Sequence, residues 1–241
     1  MTAVKLDLLA FGVHPDDIEL SAGGTLAKYA KSGKMVGMIH LTRGELGTRG
    51  SASIRMREAK LAAKILGASV MEDCGMKDGF FVNDEIHQRL LIEKIRLYRP
   101  EIVLCNASDD RHPDHGRASK LVSDSCFYSG LSKITTSHQG KKQQAWRPKA
   151  VYHYIQDRNL GPDLAIDISG SIKEKMKALK AYESQFYNAG SKEPSTYISG
   201  RTFLDSIRAR NAETGRIIGV AFAEGFITER YPGVSDLFGL Y

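Results

Sequence analysis

Two short stretches hold the residues with the most chemistry to offer. "VHPDDIE", from Val13 to Glu19, delivers His14, Asp16 and Asp17 directly after an apolar run. "DDRHPDHGRA", from Asp109 to Ala118, also follows an apolar run and repeats the His-Pro-Asp core with His112, Asp114 and His115. A hydrolytic metal site needs three protein ligands drawn from His, Asp, Glu or Cys, with a position left open for water. His14 and Asp17 are three residues apart, close enough to grip one ion, and His112 and His115 offer the same spacing. Two ligands from the first stretch and one histidine from the second make two histidines and one carboxylate, a donor set suited to Zn²⁺ and also to Fe²⁺. Asp16 is then available to take a proton from the attacking water, since attack on a carbonyl needs both a base and an acid. A lone His-Pro-Asp carries little, because Asp and Pro are common at turns and N-caps. Two of them at equivalent strand ends point to a metal site.

The elements around these stretches explain why they should meet. Apolar strand patterns ("KLDLLAFGV", "MVGMIHLT", "SVMEDCG", "EIVLCN") alternate with helical ones: 18–31, "SIRMREAKLAAKILG", "DEIHQRLLIEKIRLY" and "HGRASKLVSDSCFYSG". Such alternation predicts a single α/β domain over residues 1–241, with a mostly parallel sheet, right-handed crossovers and helices on both faces. Ligands in these sheets sit outside the carboxyl ends of the strands, and both His-Pro-Asp stretches fall at strand-to-helix turns. The basic, aperiodic segment 132–147 reads as a long loop. After it come a strand in "PKAVYHYIQ", an amphipathic helix over 169–186, a loop over 188–200, a helix over 202–211 and a strand in "RIIGVAFAEGF".

The other histidines take plainer readings. His40 and His153 fall inside strand patterns, His87 on a helix and His138 in the basic loop. Gly23 and Gly24 belong to no phosphate-cradling motif and read as sites of close helix packing. A net charge of +6, spread along 241 residues rather than clustered, argues against a nucleic-acid partner and fits an anionic small substrate better. Cys74, Cys105 and Cys126 are odd in number and carry no CxxC spacing, which fits reduced core residues. With no secretory pattern and no apolar run near 18 residues, the expectation is a cytoplasmic protein that does not engage a membrane.

These motifs resemble a known family. "VHPDDIE" is similar to the (A/V)HPDD(x)E signature of the LmbE-like, or PIG-L, N-acetylglucosamine deacetylases, and "RHPDHGRA" to their HPDH motif. "LTRGELGTRGSASIRMREAKLAAKILG", "AYESQF" and "AEGF" resemble the bacillithiol biosynthesis branch, and the likeness runs from about Leu6 to Phe226. It implies a Rossmann-like, three-layer α/β fold with the site at the C-terminal strand ends. It also implies zinc on His14, Asp17 and His115, with Fe²⁺ an alternative in the cell. Asp16 would be the general base and later the acid, His112 the oxyanion stabiliser, and Asp114 the residue that orients one of the histidines. The substrate would be N-acetylglucosaminyl malate, hydrolysed to glucosaminyl malate and acetate. Arg55 would contact that substrate; Arg111 and Arg147 are further candidates for its carboxylates, and Tyr197 for a tyrosine over the site. Relatives suggest a homo-oligomer, a trimer or hexamer. Competing readings are a deacetylase of another N-acetylglucosaminide, an amidase of thiol conjugates, and a metal-containing sugar-binding protein without turnover. The last has no need of Asp16 beside a metal. A dinucleotide-binding oxidoreductase lacks its glycine fingerprint here.

Overall fold

The computed structural model describes residues 4–239, and its centre is strand β1 (Leu8–Gly12), buried along its whole length. Leu8 and Ala10 enter one apolar cluster, Leu9 and Phe11 another, as the two-residue period demands of a strand covered on both faces. Helices and strands then alternate: α1 (Asp17–Lys31), β2 (Val36–His40), α2 (Ala52–Leu66), β3 (Val70–Asp73), α3 (Glu85–Tyr98), β4 (Ile102–Cys105) and α4 (Pro113–Ser129). The rest comprises β5 (Ser137–His138), β6 (Lys141–Lys142), β7 (Ala150–Tyr154), β8 (Leu164–Asp167), α5 (Ile172–Lys180), α6 (Phe203–Ile217) and β9 (Ala223–Thr228).

The main sheet has seven strands in the order β3-β2-β1-β4-β7-β9-β8. The run from β3 to β7 is parallel, while β9 is antiparallel to both β7 and β8. Side chains of α1, α2, α5 and α6 (Leu26, Ala62, Leu179, Ile207) pack with Leu8 and Ala10 on one face. Leu91 and Ile95 of α3 and Leu121 and Val122 of α4 pack with Leu9 and Phe11 on the other. This is the expected α/β architecture, a mostly parallel sheet between two layers of helices.

Local signals account for several boundaries. The Ser51 side chain accepts the Ile54 N–H at the start of α2, and Gly67 ends that helix at φ 78, a conformation open to glycine without steric cost. Four expectations change, the first being that the helix expected over 169–186 spans only Ile172–Lys180. Segment 132–147 is not only loop, since β5 and β6 form a small antiparallel hairpin in it. Strand β8 appears where no strand is expected. Helix α6 runs on to Ile217, so the last strand starts at Ala223 rather than near Arg216. No helix among the described residues is long and apolar enough to cross a membrane.

Strands β1 and β4 are neighbours, with β2 beyond one and β7 beyond the other. Chain order therefore reverses between them, and a crevice opens at their carboxyl ends. Both His-Pro-Asp turns emerge there.

Candidate active site

The first turn is held in a costly conformation. Asp16 precedes α1 with φ 112, and its side chain makes no capping hydrogen bond. A non-glycine residue at such a φ costs on the order of 1–3 kcal/mol and persists only where its surroundings enforce it. Buried Arg55 does the enforcing. Its Nη2 donates to the Pro15 carbonyl at 2.8 Å and lies 3.5 Å from Asp16 Oδ2, while Nη1 donates to the Gly44 carbonyl at 3.0 Å. Gly44, at φ 63, makes room for it, because a Cβ there would lie 2.1 Å from Arg55 Nη1. Asp17 opens α1 and is held by donors on three sides: the His14 N–H at 2.9 Å, Gln156 Nε2 at 2.6 Å and Asn106 Nδ2 at 3.2 Å.

The second turn is an ordinary helix start. His112 is the N-cap of α4, and its Nδ1 accepts the Asp114 N–H at 3.3 Å. In a neutral ring the proton then sits on Nε2, leaving a donor free. His115 lies in the first helical turn, with its Nδ1 hydrogen-bonded to Asp110. Asp110 is in turn fixed by the Asp157 and Arg158 N–H groups, both at 3.0 Å.

Tertiary folding brings the turns together. Asp17 lies between the two histidines, with Oδ2 3.5 Å from His14 Nδ1 and Oδ1 3.3 Å from His115 Nε2. The outer nitrogen of each ring rests on a carboxylate: His14 Nε2 is 2.9 Å from Asp78 Oδ1, and His115 Nδ1 meets Asp110. Metal-binding histidines are typically backed in this way, which fixes their orientation and raises their basicity. Buried His115 Nε2 has no hydrogen-bond partner among the described residues despite its closeness to Asp17, and Asp16 Oδ2 has none either. Asp16 Oδ2 faces Arg55, whereas the unpaired His115 Nε2 faces Asp17, as a ligand nitrogen beside a ligand carboxylate would. The charge balance fits a cation too. Burial lowers the pKa of His14, but Asp17 and Asp78 outweigh it and bring it to about 9. His115 is likewise opposed by burial and carried to about 10 by Asp17 and Asp110. Carboxylates that would otherwise draw protons onto both rings mark a place built for positive charge. His112 also offers a nitrogen within 4.8 Å of those of His14 and His115. No carboxylate backs it, however, and its Nδ1 is committed to its own helix.

Asp16 and His112 differ from their neighbours. Burial pushes Asp16 up to about 7 against the pull of Arg55, which poises it to exchange a proton near neutrality. Burial, together with His14 and His115, lowers the pKa of His112 and keeps the ring neutral. Asp114 is buried and its backbone N–H meets His112, but its carboxylate holds neither His112 nor His115 in place. Its carboxylate accepts the Gly79 N–H at 2.9 Å and Arg117 Nη1 at 2.7 Å, and comes no nearer than 3.9 Å to His14 Nε2. Histidine orientation falls instead to Asp78 and Asp110. Asp110 stands two residues before His112 in the motif; Asp78 carries no sequence signal linking it to either turn.

The turns open into a cavity of about 390 Å³ whose walls include Arg55, Arg111, Tyr197 and Arg210. Arg111 is exposed, with its guanidinium 4.5 Å above the Tyr197 ring and its Nε donating to Asp157 at 3.1 Å. Arg147 is a correction. It donates to the Phe127 carbonyl and covers the Phe127 ring, just before β7, where the Lys149 N–H bonds the Glu101 carbonyl ahead of β4. Those are the amino ends of the strands, opposite the site.

Comparison with known proteins agrees with this geometry. The PIG-L family model, described as GlcNAc-PI de-N-acetylase, matches residues 9–126, which include both turns. Diacetylchitobiose deacetylase of Thermococcus kodakarensis is 29% identical over 189 residues, covering 74% of this chain and 70% of its own. The chain spans about three fifths of the length of the next curated relatives. Among solved structures, the conserved protein TT1542 from Thermus thermophilus superposes with a TM-score of 0.84 at 31% identity, over 95% of this chain and 98% of that one. GalB, the 4-carboxy-2-hydroxymuconate hydratase from Pseudomonas putida KT2440, shares the fold at 22% identity and a TM-score of 0.77, over 95% of this chain and 98% of its own. Both signature turns lie in the matched segment and one relative is covered almost end to end, so the chain belongs to the PIG-L family of deacetylases, hydrolases that act on N-acetyl amides.

Proposed function

We propose that this chain removes the N-acetyl group of N-acetylglucosaminyl malate with the help of zinc, giving glucosaminyl malate and acetate in bacillithiol biosynthesis. Deacetylation of an N-acetylglucosamine-type substrate is the broader reaction, and malate is the specific half of the proposal. The observation that carries the chemistry is the placing of Asp17 between two carboxylate-backed histidines, with Asp16 beside it and raised to about 7. His14, Asp17 and His115 would hold the ion; zinc suits these donors, and Fe²⁺ is the alternative. A divalent ion bound there supplies Lewis-acid polarisation of the amide carbonyl. Asp16 takes a proton from the attacking water and returns it to the departing amine, and its strained backbone with the Arg55 clamp fixes where its carboxylate stands. His112, neutral and protonated at Nε2, donates to the oxygen that gains charge as the carbonyl is attacked.

Support for the malate half comes from the cavity wall, where Arg111 and Tyr197 offer a cation stacked on an aromatic face. Since diacetylchitobiose deacetylase is a relative, a neutral disaccharide is the natural rival substrate. The test incubates the zinc-loaded protein with N-acetylglucosaminyl malate, diacetylchitobiose and other N-acetylglucosaminides and measures free amine. A kcat/KM highest on the malate glycoside is the expected result. Equal or higher turnover of the neutral disaccharide overturns the malate assignment, and no amine from any of them overturns deacetylation. A trimer or hexamer goes with this reading and is checked by light scattering.

A further inference from the structure

The anion-binding side of the cavity is not fully explained by the residues named so far. Arg55 spends both Nη groups on two backbone carbonyls and Asp16, and Arg147 lies at the far end of the sheet. Arg210, on α6, lines the cavity and is partly buried. Its one hydrogen bond is long, 3.5 Å from Nη2 to the Leu20 carbonyl, and no carboxylate among the described residues lies within ion-pair distance. Three acids are near enough to act on it through space: Asp157, Glu224 and Asp110. Each is engaged elsewhere. Asp157 accepts from Arg111. Glu224 is bonded to Lys175 at 2.6 Å and to the Gly24 and Thr25 N–H groups. Asp110 is taken by His115 and two backbone N–H groups. This wall therefore presents two guanidinium groups, Arg111 and Arg210, against one carboxylate, Asp157, which is already paired with Arg111. Desolvation already lowers the pKa of Arg210. A partly buried cation without a counter-charge is unfavourable unless a ligand supplies one.

We infer that Arg210 binds a carboxylate of the substrate's anionic aglycone and, with Arg111 lining the same cavity, makes the site selective for doubly charged aglycones. This rests on the proposed deacetylation of an acidic glycoside. Guanidinium is the fitting group, since its planar fork matches a carboxylate through two parallel hydrogen bonds. Arg210 makes no hydrogen bond to His14, Asp16, Asp17, His112 or His115 among the described residues, so it reads the aglycone and takes no part in proton transfer.

The experiment compares wild type with Arg210→Met and Arg210→Lys, all zinc-loaded, on N-acetylglucosaminyl malate and on the neutral methyl glycoside. Arg210→Met should raise KM for the malate glycoside by about 10- to 100-fold, the loss of one hydrogen-bonded charge. Its kcat, its activity on the neutral glycoside and its zinc content should stay near wild type, and Arg210→Lys should recover part of the loss. Its Tm should match or exceed that of wild type, because an unpaired cation is removed; an arginine needed only for the fold would lower it. Equal losses on both substrates, or no loss on either, while wild type still prefers the malate glycoside, overturn the role of Arg210 and leave the malate reading intact. If wild type shows no such preference, the malate reading fails instead. Titration with free malate by calorimetry then decides for Arg210: binding to wild type that Arg210→Met loses sustains it, and binding by both or by neither overturns it.

Discussion

The two His-Pro-Asp turns share a tripeptide but enter their helices in different registers. In the first, Asp16 is the N-cap and α1 begins at Asp17. In the second, His112 is itself the N-cap and α4 begins at Pro113. Matched by helix position, Asp16 corresponds to His112; Asp17, first residue of α1, and His115, third residue of α4, correspond by motif and share only the first helical turn. Each N-cap position thus carries a proton-handling group, and each first helical turn carries a group that faces the ion site. The turns also differ in strain. The first is forced to φ 112 under an arginine clamp, while the second sits at φ −86 with its side chain capping the helix. The repeated motif therefore supplies residue types, while helix register distributes the roles.

Substitutions at these four positions can break this distribution of roles. The largest losses should come from Asp17→Ala and His115→Ala. Both should lose stoichiometric zinc, measured by elemental analysis, and lose activity by more than about 10⁴-fold, beyond the usual range for proton transfer alone. Either variant keeping its metal would dissolve the pairing. Next come the N-cap positions. Asp16→Asn should keep its zinc while kcat falls about 10²- to 10⁴-fold. His112→Gln, which deletes a ring donor to the developing oxyanion, should cost about 10²- to 10³-fold in kcat with zinc retained. Loss of metal from these two and not from the first two would reverse the assignment.

Smaller effects sharpen the picture. Asp78→Asn and Asp110→Asn leave every proposed ligand in place but weaken the carboxylate behind one histidine each. Zinc affinity, followed by competition with a chromogenic chelator, should drop about 10- to 100-fold in both. If only one variant weakens binding, the two histidines are not equivalent. The smallest effect tests the strain. Asp16→Gly removes the backbone cost without removing a cap and should stabilise by about 1 kcal/mol, or roughly 2–4 °C in Tm for a chain of this size. His112→Gly removes a working cap and should lower Tm instead. A fall in both would mean that the first turn stores no strain.

Much of this was legible in the sequence, and the gaps have physical causes. Apolar alternation and the paired motifs mark the β1 and β4 ends, because a strand covered on both faces has to be apolar and the charge that follows it stands out. Strand β8 left no such mark: it has four residues, all partly buried, near the sheet edge, where no sustained pattern is required. Asp78 reaches His14 across a sequence separation of 64, and nothing in its neighbourhood signals that contact. Arg147 is a candidate for the substrate's carboxylates by its guanidinium alone, yet position relative to β7 decides its location, and charge does not encode that. Arg210 has the opposite history. In "SIRARNAETGR" it is one arginine among several, and only its lack of a partner in the folded chain sets it apart.

Strand β1 also limits how the chain can change in length. Leu8 and Ala10 serve one core and Leu9 and Phe11 the other, while the strand holds parallel register with β2 and β4 at once. A residue inserted within it would exchange the faces of everything before the insertion. The only alternative is to push His14, Asp16 and Asp17 one step further from the sheet. Length variation is thus excluded within β1, the strand that sets the first turn's distance from the sheet.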